Sequence, residues 1–202
     1  VLILDADFAA KISARLKSYD LLGFCGTDRL LAAGWIAAGR PHIFGAIAHV
    51  HEHSLQLEAY GVGDWPVTGN IQALDGLCLM ATREAALATK FDADTFDGFH
   101  LYDLDFSFSA HLAGYRLGVC CDIAVIHTSG GNFGAAQFAH YARRFKQKYA
   151  ACLPPDVRSK TRGKAAQFRD HYAILDAWKE DILRRATYPR QSAHEPVRMA
   201  AA

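Results

Sequence analysis

The residues best equipped for chemistry fall at three stations. Asp5-Ala6-Asp7 follows the apolar run Val1-Leu2-Ile3-Leu4, so a strand delivers two carboxylates into a loop. Hard divalent cations take oxygen ligands, and such a pair is half of a metal or phosphate site. Asp103 and Asp105 lie in Phe99-His100-Leu101-Tyr102-Asp103-Leu104-Asp105-Phe106-Ser107, where a helical pattern begins. His127 ends an apolar run in Val125-Ile126-His127-Thr128-Ser129-Gly130-Gly131 and leads into a glycine loop. Two carboxylates and an imidazole can hold a hard or borderline metal, and a separate carboxylate at a helix start can act as a base. Singly, each has a plainer role: Asp103 as a helix cap, His127 as a core histidine, Asp5 and Asp7 as turn formers. Their shared placement at strand ends and helix starts, where open α/β sheets bind ligands, favours a site.

These stations need elements to position them. The chain alternates strands and helices without repeats or low-complexity stretches, which predicts an α/β fold with a mixed sheet. The pattern predicts a helix over Ala9 to Ser18 and a buried strand over Tyr19 to Gly26. A loop spans Gly34 to Gly45, and a hairpin falls within Ile43 to Glu58. Another apolar strand runs from Leu74 to Thr82. Leu104, Phe108, Leu112 and Tyr115 recur at helical spacing, with Gly114 placed to stop that helix. Val119 to His127 returns as a strand. Phe138, Tyr141, Phe145 and Tyr149 mark a helix closed by Pro154-Pro155, and Phe168, Tyr172, Leu175, Trp178 and Ile182 mark a second. Residues beyond Tyr188 read as poorly ordered.

Composition narrows the class. With 202 residues, 51% apolar and 21% charged, the chain can bury one good core. No apolar run approaches the roughly 20 residues that span a bilayer, and no signal-peptide pattern opens the chain. The five cysteines are scattered without a C-x-x-C pair and read as reduced thiols of a cytoplasmic protein. The net charge of +1 hides an asymmetry: residues 1–140 carry 8 Lys/Arg against 15 Asp/Glu, and residues 141–202 carry 14 against 6. The division is an acidic core over 1–140 and a basic helical tail over 141–202. The tail's charges fall at helical spacing, as solvated faces do, so no nucleic-acid partner is inferred. His49, His51 and His53 alternate and would share one strand face, but no fourth ligand follows at zinc-site spacing, and a solvated face is favoured.

In this order and separation, Asp5-Ala6-Asp7, the Phe99–Asp105 segment and Ile126–Gly131 resemble the family 2-type glycosyltransferases of the GT-A fold, and among them the StrF-like subgroup known from streptomycin biosynthesis. Leu22-Gly23-Phe24-Cys25-Gly26-Thr27, the segment Leu74–Arg83 with its Asp75-Gly76, and Lys90-Phe91-Asp92 add to a likeness covering residues 1 to about 150. The resemblance implies a GT-A-like mixed sheet flanked by helices, lacking the nucleotide-binding strands that precede D-x-D in that fold and therefore a fragment, followed by the helical tail. It implies a metal-dependent inverting enzyme that moves a sugar from a nucleotide-sugar donor to a saccharide or other hydroxyl acceptor. Asp5, Asp7 and His127 would hold Mn2+ or Mg2+, with Asp5 also touching donor ribose. Asp103 would be the general base, although Tyr102 stands where many relatives have an acidic residue. Asp105 would order a helix end or loop, and Asp75 and Gly76 would line the sugar or acceptor pocket. Two other readings are open: a haloacid-dehalogenase-like phosphatase using Asp5 and Asp7, though Ala9 holds its Thr position, or a non-catalytic carbohydrate- or partner-binding fragment.

Overall fold

The computed structural model describes residues 1–154 except 52–53 and 129–135, with the backbone alone for 50, 51 and 54–56. The strands are β1 (Leu2–Ile3), β2 (Leu21–Gly23), β3 (Cys25–Thr27), β4 (Ile43–His51), β5 (Ser54–Gly61), β6 (Val67–Ile71), β7 (Ala73–Leu74), β8 (Met80–Ala81), β9 (Leu117–Cys120) and β10 (Val125–His127). The helices are α1 (Phe8–Arg15), α2 (Arg83–Thr89), α3 (Tyr102–Leu112) and α4 (Ala136–Lys148), and a 3-10 turn spans Trp35–Ala38. This is the mixed α/β architecture expected.

The strands form two sheets. One runs β1, β10, β4, β3, β7, with β5 completing the expected hairpin on the other edge of β4; the second runs β6, β9, β2, β8. Three segments that read as single strands each cross from one sheet to the other. Tyr19 to Gly26 splits at the fully buried Phe24 into β2 and β3, Leu74 to Thr82 into β7 and β8, and Val119 to His127 into β9 and β10. Apolar runs buried on both faces carry no period that marks such a crossing. The crossings place Asp75-Gly76 between β7 and β8, and Asp122 between β9 and β10.

α3 lies at the centre. Leu101, Leu104 and Phe108 join the core with Trp35, Ile43, Ile47, Tyr141, Phe145 and Tyr149. Phe106 and Ala110 join a second cluster with Leu21, Ile71, Leu74 and Leu117. The helix is therefore buried on most sides, polar Asp105 and Ser107 included, rather than amphipathic, because it is packed on both sides; Leu112, expected in its buried stripe, is exposed. Asp103 is no cap: Leu101 holds the N-cap place, and Asp103 and Asp105 lie in the first turn, where carboxylates suit the helix dipole. Gly114, at φ +87°, follows the end of α3 as expected.

α4 runs across residue 140 and buries Tyr141 and Phe145 as the tail's aromatic stripe predicts. Pro155, the second helical stripe and the residues beyond Tyr188 lie outside the described residues. All five cysteines are free, with Cys25, Cys120 and Cys121 buried and Cys152 exposed. Among the described residues no helix is long and apolar enough to cross a membrane.

Candidate active site

Ser107, one turn beyond Asp103 on α3, fastens the helix to β7. Its hydroxyl accepts from the Leu74 amide at 3.0 Å and donates to the Asp103 carbonyl at 2.9 Å. The next amide, Asp75, donates to the Cys25 carbonyl at 2.9 Å. These bonds press the Asp75-Gly76 turn onto α3 so closely that a Cβ at Gly76 would stand 2.4 Å from Asp103 Oδ2. Gly76 is thus a spacer whose missing side chain makes room for the Asp103 carboxyl.

Asp75 is held from two sides: Trp35 Nε1 donates to Oδ2 at 2.7 Å, and the Leu77 amide donates to Oδ1 at 2.9 Å. Burial, and then the charge of Asp75, push the Asp103 carboxyl up to about 6, although the Leu104, Asp103 and Gly76 amides pull the other way. A carboxyl in that range is ionised at neutral pH and basic enough to accept a proton, as a general base must.

Both carboxylates line a pocket of about 330 Å³ whose other walls are mainly aromatic and aliphatic. Trp35 comes from the 3-10 turn, Phe99 and His100 from the approach to α3, Tyr102 from α3, Phe138 from α4 and His127 from β10. Leu101 enters α3 at φ +67°, a left-handed conformation costly for a branched side chain. Phe99 is two-thirds exposed at 68%, so the pocket offers a bare aromatic face. Burial lowers the His127 imidazole below its ordinary range, with His49 reinforcing and Asp75 opposing; the two rings lie 5.8 Å apart.

Asp5 and Asp7 lie elsewhere. β1 runs antiparallel to β10, with Leu2 opposite Ile126 and Ile3 opposite Val125. The Leu4 amide donates to the Ala124 carbonyl, so the chain carries Asp5 away from His127. At roughly 3.3 Å per residue, about 13 Å of strand separates their positions. Asp5 Oδ1 accepts from the Asp7 amide at 2.8 Å and Oδ2 from Lys11 at 2.6 Å. Lys11 also reaches Asp122 at 3.2 Å, and Arg15 pairs with Asp122 at 2.7 Å. The cation between these carboxylates is an ammonium, and Asp7 is exposed. Among the described residues no three His, Cys, Asp or Glu side chains gather as a ligand set. As placed, Asp5, Asp7 and His127 do not fit a shared divalent ion.

The structure therefore brings together Asp75, Gly76, Asp103 and His127, and sets Asp5 and Asp7 apart. Asp105 takes the helix-end place of its two expected roles: it stands in the first turn of α3, is 1% exposed and accepts from Tyr149 and Lys148. His49 sits on β4 near Glu58 at 3.8 Å, while His53 and the His51 side chain lie outside the described residues. Sequence reasoning missed Trp35, Ser107, Phe99 and Phe138 as site residues. A tryptophan between Gly34 and Gly39, inside a stretch that reads as loop, was the available signal for the first.

A family model described as "Glycosyltransferase like family" matches residues 1–149. No curated protein and no solved structure matches.

Proposed function

The chain belongs to the glycosyltransferase-like family, and from that premise we propose that the α3 pocket carries out inverting transfer with Asp103 as general base. The acceptor hydroxyl gives its proton to Asp103 as its oxygen attacks C1 of a sugar carried on a nucleoside diphosphate. The new C1–O bond forms while the bond to the phosphate oxygen breaks, and its electron pair leaves with the diphosphate. Direct displacement by a single base inverts the anomeric centre. The observation that carries the reading is the Asp103 carboxyl, lining an aromatic pocket and raised to about 6 beside the fixed Asp75.

No step here runs through Mn2+ or Mg2+, since the described residues leave no shared seat for one. Transfer measured after thorough chelation, with and without added Mn2+, decides whether an ion takes part; ion binding at Asp5 would have to displace Lys11.

The test of the base is Asp103→Asn assayed against a panel of nucleotide-sugars. It is expected to lower transfer by about 10²- to 10⁴-fold, the usual weight of a general base. Product analysed by NMR is expected to show the anomeric configuration opposite to the donor's. Unchanged transfer in the variant, or retained configuration, would sink the assignment.

A further inference from the structure

The charged groups lining the α3 pocket are both acidic. Asp75 and Asp103 supply the charge, and among the described residues no Lys or Arg lines the space. Residues 129–135, Ser-Gly-Gly-Asn-Phe-Gly-Ala, join β10 to α4 and carry no ionisable side chain. Of the four Lys and Arg of α4, none lines the pocket, and two are paired elsewhere, Arg144 with Asp97 and Lys148 with Asp92 and Asp105. His127, its imidazole below the ordinary range, does not offset the carboxylates at neutral pH. Asp75 cannot swing aside without losing its bonds to Trp35 and the Leu77 amide.

We propose that this pocket receives a saccharide acceptor that bears no acid group, neutral or amine-bearing, and that Asp75 is the residue that enforces the choice. This rests on the transferase reading above and goes beyond it by naming the acceptor's charge class. The aromatic walls suit the apolar C–H faces of a sugar ring, and the carboxylates suit its hydroxyls and any ammonium. A uronate, phosphate or sulfate group would face two fixed negative charges with its own water stripped away. The same charges make the pocket a poor seat for the donor's diphosphate, which places the acceptor here.

An immobilised glycan array of neutral, amino and acidic saccharides, probed with the labelled full chain at neutral pH, tests this by binding and not by turnover. Neutral and amino glycans are expected to bind, with acidic counterparts of the same backbone weaker by about tenfold or more, as like-charge juxtaposition dictates. Asp75→Asn is expected to narrow that gap by about tenfold, and the circular dichroism of the variant checks its fold. Trp35→Phe, which removes the donor that fixes Asp75, is expected to narrow it in the same direction. Equal binding of acidic glycans, binding to none, or a gap that both variants leave untouched overturns the proposal. A chain that binds neutral glycans yet transfers no sugar, or an Asp103→Asn variant with full transfer, would sink the transferase reading and leave the pocket's selectivity standing.

Discussion

Asp103 must have lost its proton before it can take one, and its carboxyl titrates at about 6. The expected outcome is a kcat/KM that is flat above about pH 7 and falls tenfold per pH unit well below 6, measured by initial rates. Asp75→Asn removes the neighbouring charge, so the acid limb moves to lower pH; a limb that stays fixed would show that burial alone sets it. Gly76→Ala tests the spacing directly. Its Cβ would press on the Asp103 carboxyl, and the expected result is about 1–3 kcal/mol of lost stability by denaturant titration, with transfer reduced more than binding. Asp103 and His127 were legible as candidates because one opens a helix and the other ends a strand, whereas Asp75-Gly76, inside a run that read as one strand, entered only through the family resemblance. The sequence grouped Asp5 and Asp7 with His127 wrongly in space, because residue order does not disclose that β1 pairs antiparallel with β10.

The device at the scale of elements is the clamp between α3 and α4. Tyr149 donates to Asp105 Oδ1 at 2.6 Å and meets the Ser109 hydroxyl at 2.6 Å, while Lys148 reaches Asp105 at 2.7 Å and Asp92 at 2.8 Å. Burial, and then the bond to Asp105, hold the Tyr149 phenol protonated, pushing it up to about 12. Around this network Phe108 packs edge-on against Tyr149 at 4.9 Å, and Phe96 and Phe108 flank Phe145. Asp105→Ala strips the buried partner of both Tyr149 and Lys148, and about 3 kcal/mol of stability is expected to go with it. Hydrogen exchange localises the loss: amides over 136–148 are expected to lose protection first. Because Phe138 of α4 forms a pocket wall, the same variant is expected to weaken acceptor binding while leaving the acid limb of the rate profile in place. The helices α1, α3 and α4 were legible, α4 most plainly from its aromatic spacing, while the short α2 was not read. The sheet crossings were not, since Phe24 continues its apolar run without a break and the single carboxylates Asp75 and Asp122 are too little to mark a crossing within the other two.

Among the described residues, the carboxylates whose titration is clearly displaced act on stability in two opposite ways. Lys148 and the Thr95 bonds hold Asp92 well below the usual carboxylate range, and Arg15 with Lys11 and Arg116 lower Asp122 and Asp20 despite the opposing cost of burial. A depressed folded-state value means stability that is present above about pH 4 and lost as pH falls through the folded value. Asp103 works the other way. Its raised value means that the folded protein binds the proton more tightly than the unfolded chain, so stability declines as pH rises from about 4 to 6 and the cost persists above. An amide at that position has no charge to bury. Asp103→Asn is therefore expected to be more stable than the native protein at pH 8, by about 3 kcal/mol, and much closer to it near pH 3, where the native carboxyl is mostly protonated in both states. Thermal denaturation at the two pH values reads the difference. A variant that melts at or below the native temperature at pH 8 would show that Asp103 meets enough donors to be comfortable as an anion, and would remove the ground on which it serves as the base.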